Sequence, residues 1–416
     1  MNSIKFKLTV LNFLQFFVFG AWLLSFGKYM GATLHFTGGQ IGSIFATMGL
    51  ASLIMPGIMG IIADKWSPNK LFAILHILGA VLLYFMAQQA DYDSLFLFTL
   101  LYLMLYMPTI GLDSTISYCI LEKNDMDVVK TFPPIRVWGT IGFIIATWVT
   151  DGFGWGMNVN QFYFAAVISL ILGLYTFVLP DCPAEKSTKK KSLVEVFGLD
   201  AFKLFGEYKM AIFFIFAMLL GAALQITNMW GEAFLHDFGS NPIFKDAIIV
   251  KYNGFVMSLS QISETVFILT IPFFLKRYGI KKVMLMSMLA WFFRFGLFGI
   301  GSPVGLGAVA IILSMIVYGM AFDFFNISGS LFVEQETDKK MRGSAQGLFI
   351  MMTNGFGAVL GAKASGYVID LFTKEGVKDW QNIWFVFAIY ALVIAVLFAV
   401  MFKYKHNPKK LGEIKH

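Results

Sequence analysis

Long apolar segments follow one another through almost the whole of this 416-residue chain. A helix needs about 20 apolar residues to cross the hydrocarbon core of a bilayer, and about twelve segments approach or reach that length. Inside lipid the backbone must satisfy its own hydrogen bonds, so such segments form α-helices. We therefore predict an all-α polytopic membrane protein. Its twelve transmembrane helices are expected at about 6–30, 40–63, 69–89, 94–120, 134–152, 160–180, 208–235, 250–275, 282–301, 305–335, 342–371 and 380–403.

The composition indicates the same class of protein. Hydrophobic residues make up 58% of the chain and charged residues only 14%, whereas soluble domains carry about 25% charged residues. So few charges could not solvate a soluble domain of this length. The formal net charge of +7 does not indicate a nucleic-acid partner, because the basic residues lie in short loops between apolar segments.

The basic residues are divided unequally between the two sides of the membrane. With the N-terminus in the cytoplasm, most of the 32 lysines and arginines fall in cytoplasmic loops and tails. Cytoplasmic loops of membrane proteins carry such an excess. We therefore expect a multi-pass protein in the lipid bilayer with both termini in the cytoplasm. The lysines expected on the opposite side are Lys28, Lys245, Lys251, Lys374 and Lys378.

One long polar connection, from Asp181 to Glu207, divides the chain. We predict an N-terminal six-helix bundle over 1–180, a cytoplasmic linker over 181–207, and a C-terminal six-helix bundle with a cytoplasmic tail over 208–416. An amphipathic run from Leu193 to Phe205 predicts a linker helix, which either only joins the bundles or also contacts anionic headgroups. The lysines before it are Lys186, Lys189, Lys190 and Lys191.

Three apolar segments in the second half each carry a polar pair at three-residue spacing, which places both members on one helical face. The pairs are Gln225 with Asn228, Gln261 with Glu264, and Asp323 with Asn326. A carboxylate at mid-membrane costs about 2.5–3.5 kcal/mol on insertion scales. The presence of two acids inside membrane spans therefore indicates a specific role for them. Counting about 1.5 Å per helical residue places the three pairs near mid-membrane. They predict a wet cavity that binds a polar solute and a proton; interhelical hydrogen bonding is the alternative.

The chemistry of the pairs favours an uncharged solute. Their amide groups offer both donors and acceptors for hydroxyls and ring nitrogens. Phe322 and Phe143 could supply flat apolar surface for a ring, although phenylalanines are so abundant here that packing is the alternative. A neutral solute cannot use the membrane potential by itself, whereas a carboxyl that is protonated in each cycle can. Asp323 and Glu264 are the candidate proton carriers.

The fifth span begins with two prolines, as helices often do. Arg136, Thr140 and Phe143 then share one face, and Gly139 with Gly142 permits close helix packing. Arg136 is expected either to reach an acid or a solute hydroxyl, or to lie at the membrane interface as the charge bias alone requires.

Two short loops at corresponding places of the halves are alike. The loop that contains Asp64 and Lys65 and the loop around Gly279 both fit the form G-x-x-x-D-[RK]-x-G-x-[RK]-[RK], with departures such as Ser67 in place of glycine. With twelve spans and a central linker, the chain resembles the major facilitator superfamily. In that superfamily the loop latches neighbouring helices, so the resemblance implies a gating role for Asp64 and Lys65. The alternative is that these charges only enforce topology.

The polar motifs carry a closer resemblance. Phe132-Pro-Pro-Ile-Arg-Val-Trp-Gly-Thr140, Gln225-Ile-Thr-Asn228, Ser260-Gln-Ile-Ser-Glu264 and Ala321-Phe-Asp-Phe-Phe-Asn326 are similar to the nucleoside–proton symporter family. The resemblance implies uptake of purine and pyrimidine nucleosides with protons across the bacterial inner membrane by alternating access. It also implies a monomer without cofactor or metal, and no enzyme. The implied substrate-binding residues are Arg136, Thr140, Phe143, Gln225, Asn228, Gln261, Glu264, Phe322 and Asn326, with Asp323 and Glu264 coupling the proton.

Two other readings remain beside this resemblance. A sugar or glycoside–proton symporter would use the same cavity, and a non-transporting membrane receptor would bind a solute without accumulating it. An intramembrane enzyme is disfavoured, because the sequence offers no metal-ligand cluster and no nucleophile–base pair.

Several residues fit no part of this pattern. Asp113 is expected to pair with a neighbouring base, and Lys363 to extend towards the periplasmic surface. His76 is expected to be packed or hydrogen-bonded rather than a proton relay. Arg294 and Glu232 receive no role. Cys119 and Cys182 are too few and too separated to predict a disulfide framework or a metal site.

Overall fold

The computed structural model describes residues 2–63, 66–183, 198–338 and 341–404. These residues fold almost entirely into helices, as the hydropathy predicts. Eleven helical segments among them are long and apolar enough to cross a membrane. The chain forms two compact units, one of residues 1–36 and 43–197 and one of residues 37–42 and 198–416.

The residues before the linker form seven α-helices. They are α1 (Asn2–Gly20), α2 (Leu23–Lys28), α3 (Gly38–Ala63), α4 (Pro68–Met86), α5 (Tyr92–Lys123), α6 (Val128–Gly152) and α7 (Asn160–Tyr175). A π-helical turn, Tyr29–Thr33, extends α2, and the predicted first span is therefore built from three consecutive helical pieces.

The described residues after the linker, 198–338 and 341–404, form nine α-helices and one two-stranded hairpin. The helices are α8 (Tyr208–Asp237), α9 (Ile248–Lys251), α10 (Asn253–Ile268), α11 (Ile271–Gly299), α12 (Gly305–Ala321), α13 (Asp323–Glu336), α14 (Arg342–Ile350), α15 (Ala358–Leu371) and α16 (Trp380–Met401). The antiparallel strands are β1 (Thr373–Lys374) and β2 (Val377–Lys378), and a π-helical stretch, Met351–Gly357, joins α14 to α15.

The predicted span 250–275 is not one continuous helix. It is divided between α10, which has 16 residues, and the first residues of α11. Gly279 then interrupts α11 with φ 76° and ψ 167°, a left-handed conformation that glycine adopts without steric cost. The second of the two similar loops therefore makes its turn at this glycine.

Glycines allow α1 and α6 to pack closely in the first unit. A side chain at Gly142 would overlap the backbone of Phe13, and one at Gly20 would overlap the backbone of Phe143. The prediction of close packing at Gly142 is confirmed.

A buried polar network joins other helices of the first unit. His76 Nε2 lies 2.8 Å from Gln15 Oε1, and His76 Nδ1 lies 3.1 Å from Ser169 Oγ. Gln15 Nε2 donates to Thr109 Oγ1 at 2.8 Å. His76 is thus hydrogen-bonded, as predicted.

Aromatic side chains form much of the core of the second unit. Trp384 is fully buried, with its ring centroid 5.4 Å from that of Phe234, 5.8 Å from Phe295 and 4.8 Å from Phe298. These contacts join α8, α11 and α16, which carry no predicted site acid. The aromatic core therefore packs α8, which carries the Gln225–Asn228 pair, against α11 and α16.

Cys119 and Cys182 form a disulfide, with their Cα atoms 6.3 Å apart. The expectation that they are too separated to pair was wrong, because the fold brings the end of α5 to the segment after α7. Lys123 Nζ donates to the Asp181 carbonyl oxygen at 2.8 Å, and the Cys182 N–H donates to Asn69 Oδ1 at 3.2 Å. These bonds hold the two cysteines together in spite of their distance in sequence.

Parts of the linker and of the first similar loop lie outside the described residues. These parts include the four linker lysines and both Asp64 and Lys65. Within the predicted amphipathic run, the described residues form a 3-10 helix, Leu199–Gly206, rather than an α-helix, with Ala201 and Leu204 buried.

Candidate functional site

The tenth span is irregular in its middle. α12 ends at Ala321 and α13 begins at Asp323, while Phe322 between them keeps right-handed helical angles, φ −93° and ψ −54°, within one continuous apolar segment. The Ala321 carbonyl oxygen accepts a hydrogen bond from the Ser287 hydroxyl of α11. A hydroxyl from another helix thus satisfies a carbonyl group at this irregularity, as membrane interiors require.

Asp323 directly follows this irregularity. Its side chain is 7% exposed. Because interrupted helices at mid-membrane are typical of solute and ion sites in transporters, the irregularity makes this part of the span a candidate site.

The tenth span packs closely on α10, which carries Gln261 and Glu264. Ser263 Oγ donates to the Ile316 carbonyl oxygen at 2.6 Å. A side chain at Gly319 would overlap Ser263, so only glycine permits this approach. Two of the three predicted polar pairs are therefore held on neighbouring helices.

Both acids lie near one buried tyrosine. Glu264 and Asp323 each affect the hydroxyl of Tyr318 on α12 electrostatically. Glu264 is half-buried. The structure thus brings the acids of spans 8 and 10 into the same part of the second unit.

Two of the predicted amides carry buried atoms that no described residue satisfies. Gln225 on α8 is 3% exposed, and its Nε2 has no hydrogen-bond partner in the described part of the chain. Gln261 Oε1 on α10 likewise has none among the described residues. A buried polar atom without a protein partner costs about 1–3 kcal/mol, so each of these two atoms is a candidate to bind a water molecule or a ligand. Asn228 and Asn326 are half-buried.

In the first unit, the predicted residues lie along α6. The Arg136 guanidinium lies over the Phe16 ring, with its carbon 3.9 Å from the ring centroid. Thr140 and Phe143 are half-buried on the same helix, and the Phe143 ring centroid lies 6.3 Å from that of Phe19. Phe322, half-buried, belongs to the second unit.

Gly139 makes room for the Arg136 guanidinium. A Cβ at this position would lie 2.6 Å from a Phe16 ring carbon and 2.7 Å from Arg136 Nη1. Because the resemblance implies that Arg136 binds a nucleoside, we expect Gly139→Ala to displace the guanidinium and to weaken uridine binding about tenfold, the cost of about one charge-assisted hydrogen bond. Isothermal titration of the purified protein measures this. Gly152→Ala, on the same helix with no neighbouring atom within 4 Å, is the control and should leave the affinity unchanged.

Asp113 and Lys363, which fit no motif, differ in their burial. Asp113 is 1% exposed, and neither of its carboxylate oxygens has a hydrogen-bond partner among the described residues. Its carboxyl interacts electrostatically with Arg136, the neighbouring base. Lys363 is exposed on α15.

Sequence reasoning gave no role to Arg294, which is fully buried in the second unit and hydrogen-bonds to side chains of α8 and α10. It also missed Tyr318, which contacts both acids electrostatically. The sequence does show that Arg294 is a charged residue within an apolar span. It does not show that Thr227 and Ser260 are its hydrogen-bond partners, because nothing marks these two residues as unusual.

The chain is similar to a known family and to known proteins along nearly its whole length. The model of the family described as "Nucleoside H+ symporter" matches residues 1–407. The chain is 52% identical to the nucleoside permease NupG of Escherichia coli (strain K12) over 97% of each chain, and 52% identical to the xanthosine permease of the same organism over 98% of each. A crystal structure of the nucleoside transporter NupG (D323A mutant) superposes with a TM-score of 0.94 at 51% identity, covering 96% of this chain and 100% of that one.

Proposed function

This chain belongs to the nucleoside H⁺ symporter family, and from that premise we propose how its residues take up a nucleoside together with a proton. Identity of 52% to a nucleoside permease and to a xanthosine permease supports proton-coupled nucleoside uptake. The protein is a polytopic membrane transporter of the major facilitator fold and not an enzyme.

The observation that carries the site assignment is the pair of unsatisfied amide atoms. Gln225 Nε2 is a buried donor and Gln261 Oε1 a buried acceptor, and neither has a partner among the described residues. A nucleoside offers complementary acceptors and donors on its base and ribose. We assign both amides to the nucleoside, and binding then removes the cost of leaving these atoms unsatisfied.

The remaining predicted residues complete this assignment. Asn228, Asn326 and Glu264 add hydrogen-bonding groups on α8, α13 and α10, and Phe322 adds an aromatic face beside Asp323. From the first unit we assign Arg136, Thr140 and Phe143, which share one face of α6.

The proton is assigned to the carboxyl groups of Asp323 and Glu264. Both acids affect the buried Tyr318 hydroxyl electrostatically, so both lie in the same part of the second unit. Asp323 is 7% exposed, and burial favours the neutral form of its carboxyl, which suits a group that takes up a proton in each cycle.

The protein acts by alternating access in the bacterial inner membrane. We assign both termini to the cytoplasm from the charge distribution, and we expect the monomer to be the transporting unit. Asp64 and Lys65 are assigned a gating role from the loop motif; both lie outside the described residues.

Uptake of labelled uridine into proteoliposomes tests the function. With an inward proton gradient we expect accumulation above the external concentration, and without a gradient only equilibration. Unlabelled adenosine should compete, whereas hexoses should not. Competition by hexoses alone would identify a sugar symporter, and saturable binding without uptake would identify a receptor; either result would overturn the proposal.

A further inference from the structure

Arg294 is a fully buried arginine in the C-terminal half of α11, within a membrane span. Burying a guanidinium in a span is costly unless its donors find partners, so its surroundings indicate why it is retained. Neither the family motifs nor the uptake mechanism uses this residue.

The guanidinium bridges three other helices. Its Nε donates to Thr227 Oγ1 of α8 at 3.0 Å. Its Nη1 donates to Ser260 Oγ of α10 at 3.1 Å and to the Ser314 carbonyl oxygen of α12 at 2.9 Å. The Ser314 hydroxyl in turn donates to the Arg294 carbonyl oxygen at 3.0 Å. Its Nη2 is buried without a hydrogen-bond partner among the described residues, and its other donors connect α11 with α8, α10 and α12.

Two aromatic rings hold the guanidinium between these helices. Its carbon lies 4.9 Å from the ring centroid of Phe298 and 4.5 Å from that of Tyr318. Cation–π contacts of this kind are stronger when they are desolvated. Tyr318 is also the residue on which both site acids act, so the guanidinium adjoins the acidic part of the site.

The residues that the guanidinium holds are neighbours of the site amides. Thr227 lies next to Asn228 and two residues after Gln225 on α8. Ser260 directly precedes Gln261 on α10. Fixing Thr227 and Ser260 therefore fixes the rotation and height of the two helices that present these amides.

We propose that Arg294 is a positioning residue of the nucleoside site, which sets the geometry of the amides on α8 and α10 without contacting the nucleoside. The proposal rests on the site assigned above. A planar guanidinium can bridge several acceptors at once, which an ammonium group cannot do with the same geometry.

The test compares Arg294→Gln, Arg294→Lys and Thr227→Val with the parent protein. Uridine Kd is measured by isothermal titration, KM and kcat by proteoliposome uptake, and folding by thermal unfolding. We expect Arg294→Gln to raise Kd and KM about tenfold, since misplaced amides lose about one hydrogen bond to the solute. Arg294→Lys should restore part of the affinity, and Thr227→Val should raise Kd by a smaller factor.

Ser365→Ala is the matched control. It removes the hydrogen bond that Trp230 Nε1 of α8 donates to Ser365 Oγ at 2.9 Å, a buried bond on the same helix that does not involve Arg294. We expect it to lower the unfolding temperature and to leave Kd unchanged. An unchanged Kd in folded Arg294→Gln, or an equal rise in Ser365→Ala, would overturn the proposal.

Two further variants protect the test from a folding failure. If Arg294→Gln does not fold, Thr227→Val and Ser260→Ala each remove one bond and retain the arginine, and unchanged Kd in both would overturn the proposal. Failure of the parent protein to bind uridine would instead contradict the proposed function. Normal binding by the parent, with loss of binding in Gln225→Leu but not in the Arg294 series, would contradict the positioning role alone.

Discussion

Asp323→Asn is expected to abolish proton-driven accumulation of nucleoside while leaving a folded protein. Asparagine keeps the size and most hydrogen bonds of the side chain but cannot bind and release a proton. The ratio of internal to external uridine should fall to about 1, because a carrier without coupling only equilibrates its solute. Labelled uridine uptake under an imposed proton gradient measures this ratio.

Asp338→Asn is the control, since this acid is exposed just beyond the end of α13. It should accumulate uridine as the parent protein does.

Glu264→Gln, compared with Asp323→Asn, shows which of the two acids carries the proton. Full accumulation in Asp323→Asn with none in Glu264→Gln would transfer the coupling role to Glu264, and full accumulation in both would refute the assignment of the proton to either carboxyl.

Gln225→Leu is expected to weaken uridine binding about tenfold or more while making the ligand-free protein more stable. The amide Nε2 is buried without a partner among the described residues, and this costs about 1–3 kcal/mol in the absence of solute. Leucine removes that cost, and it also removes the donor that we assign to the nucleoside. Titration with uridine and thermal unfolding without ligand measure the two effects.

The contrasting variant is Gln161→Leu. Gln161 is also fully buried, but its Oε1 accepts from Ser25 Oγ at 2.8 Å and its Nε2 donates to the Asn158 carbonyl oxygen at 3.1 Å. We expect its loss to lower stability and to leave the uridine affinity unchanged. A stabilised Gln225→Leu that binds uridine normally would show that this amide does not serve the solute.

The sequence predicts most of the helical spans, because backbone N–H and C=O groups inside lipid must be paired within a helix. The length and hydropathy of a segment therefore nearly determine where a helix crosses the membrane. Polar pairs at mid-membrane are visible for the same reason. The divided eighth span was not predicted, because Gly279 and the turn after Ile268 interrupt a segment whose hydropathy is still compatible with crossing.

The interruption at Phe322 could not be predicted from local sequence. Ala321, Phe322 and Asp323 contain neither proline nor glycine, and the Ser287 hydroxyl that accompanies the interruption comes from another helix. The role proposed for Arg294 could not be predicted from the sequence for a similar reason, because its partners are a threonine and a serine that only the fold brings close to it. Contacts between helices, rather than patterns along them, determine these features.

The disulfide between Cys119 and Cys182 has a practical consequence for work with this protein. The charge pattern assigns this end of α5 to the cytoplasm, where glutathione and thioredoxin keep thiols reduced. Protein oxidised in air and protein in the cell would then be two covalent forms, which differ in whether the start of the linker is tethered to α5. Transport assays should therefore be run with and without a reductant, so that the oxidation state of the sample is not mistaken for the effect of a mutation.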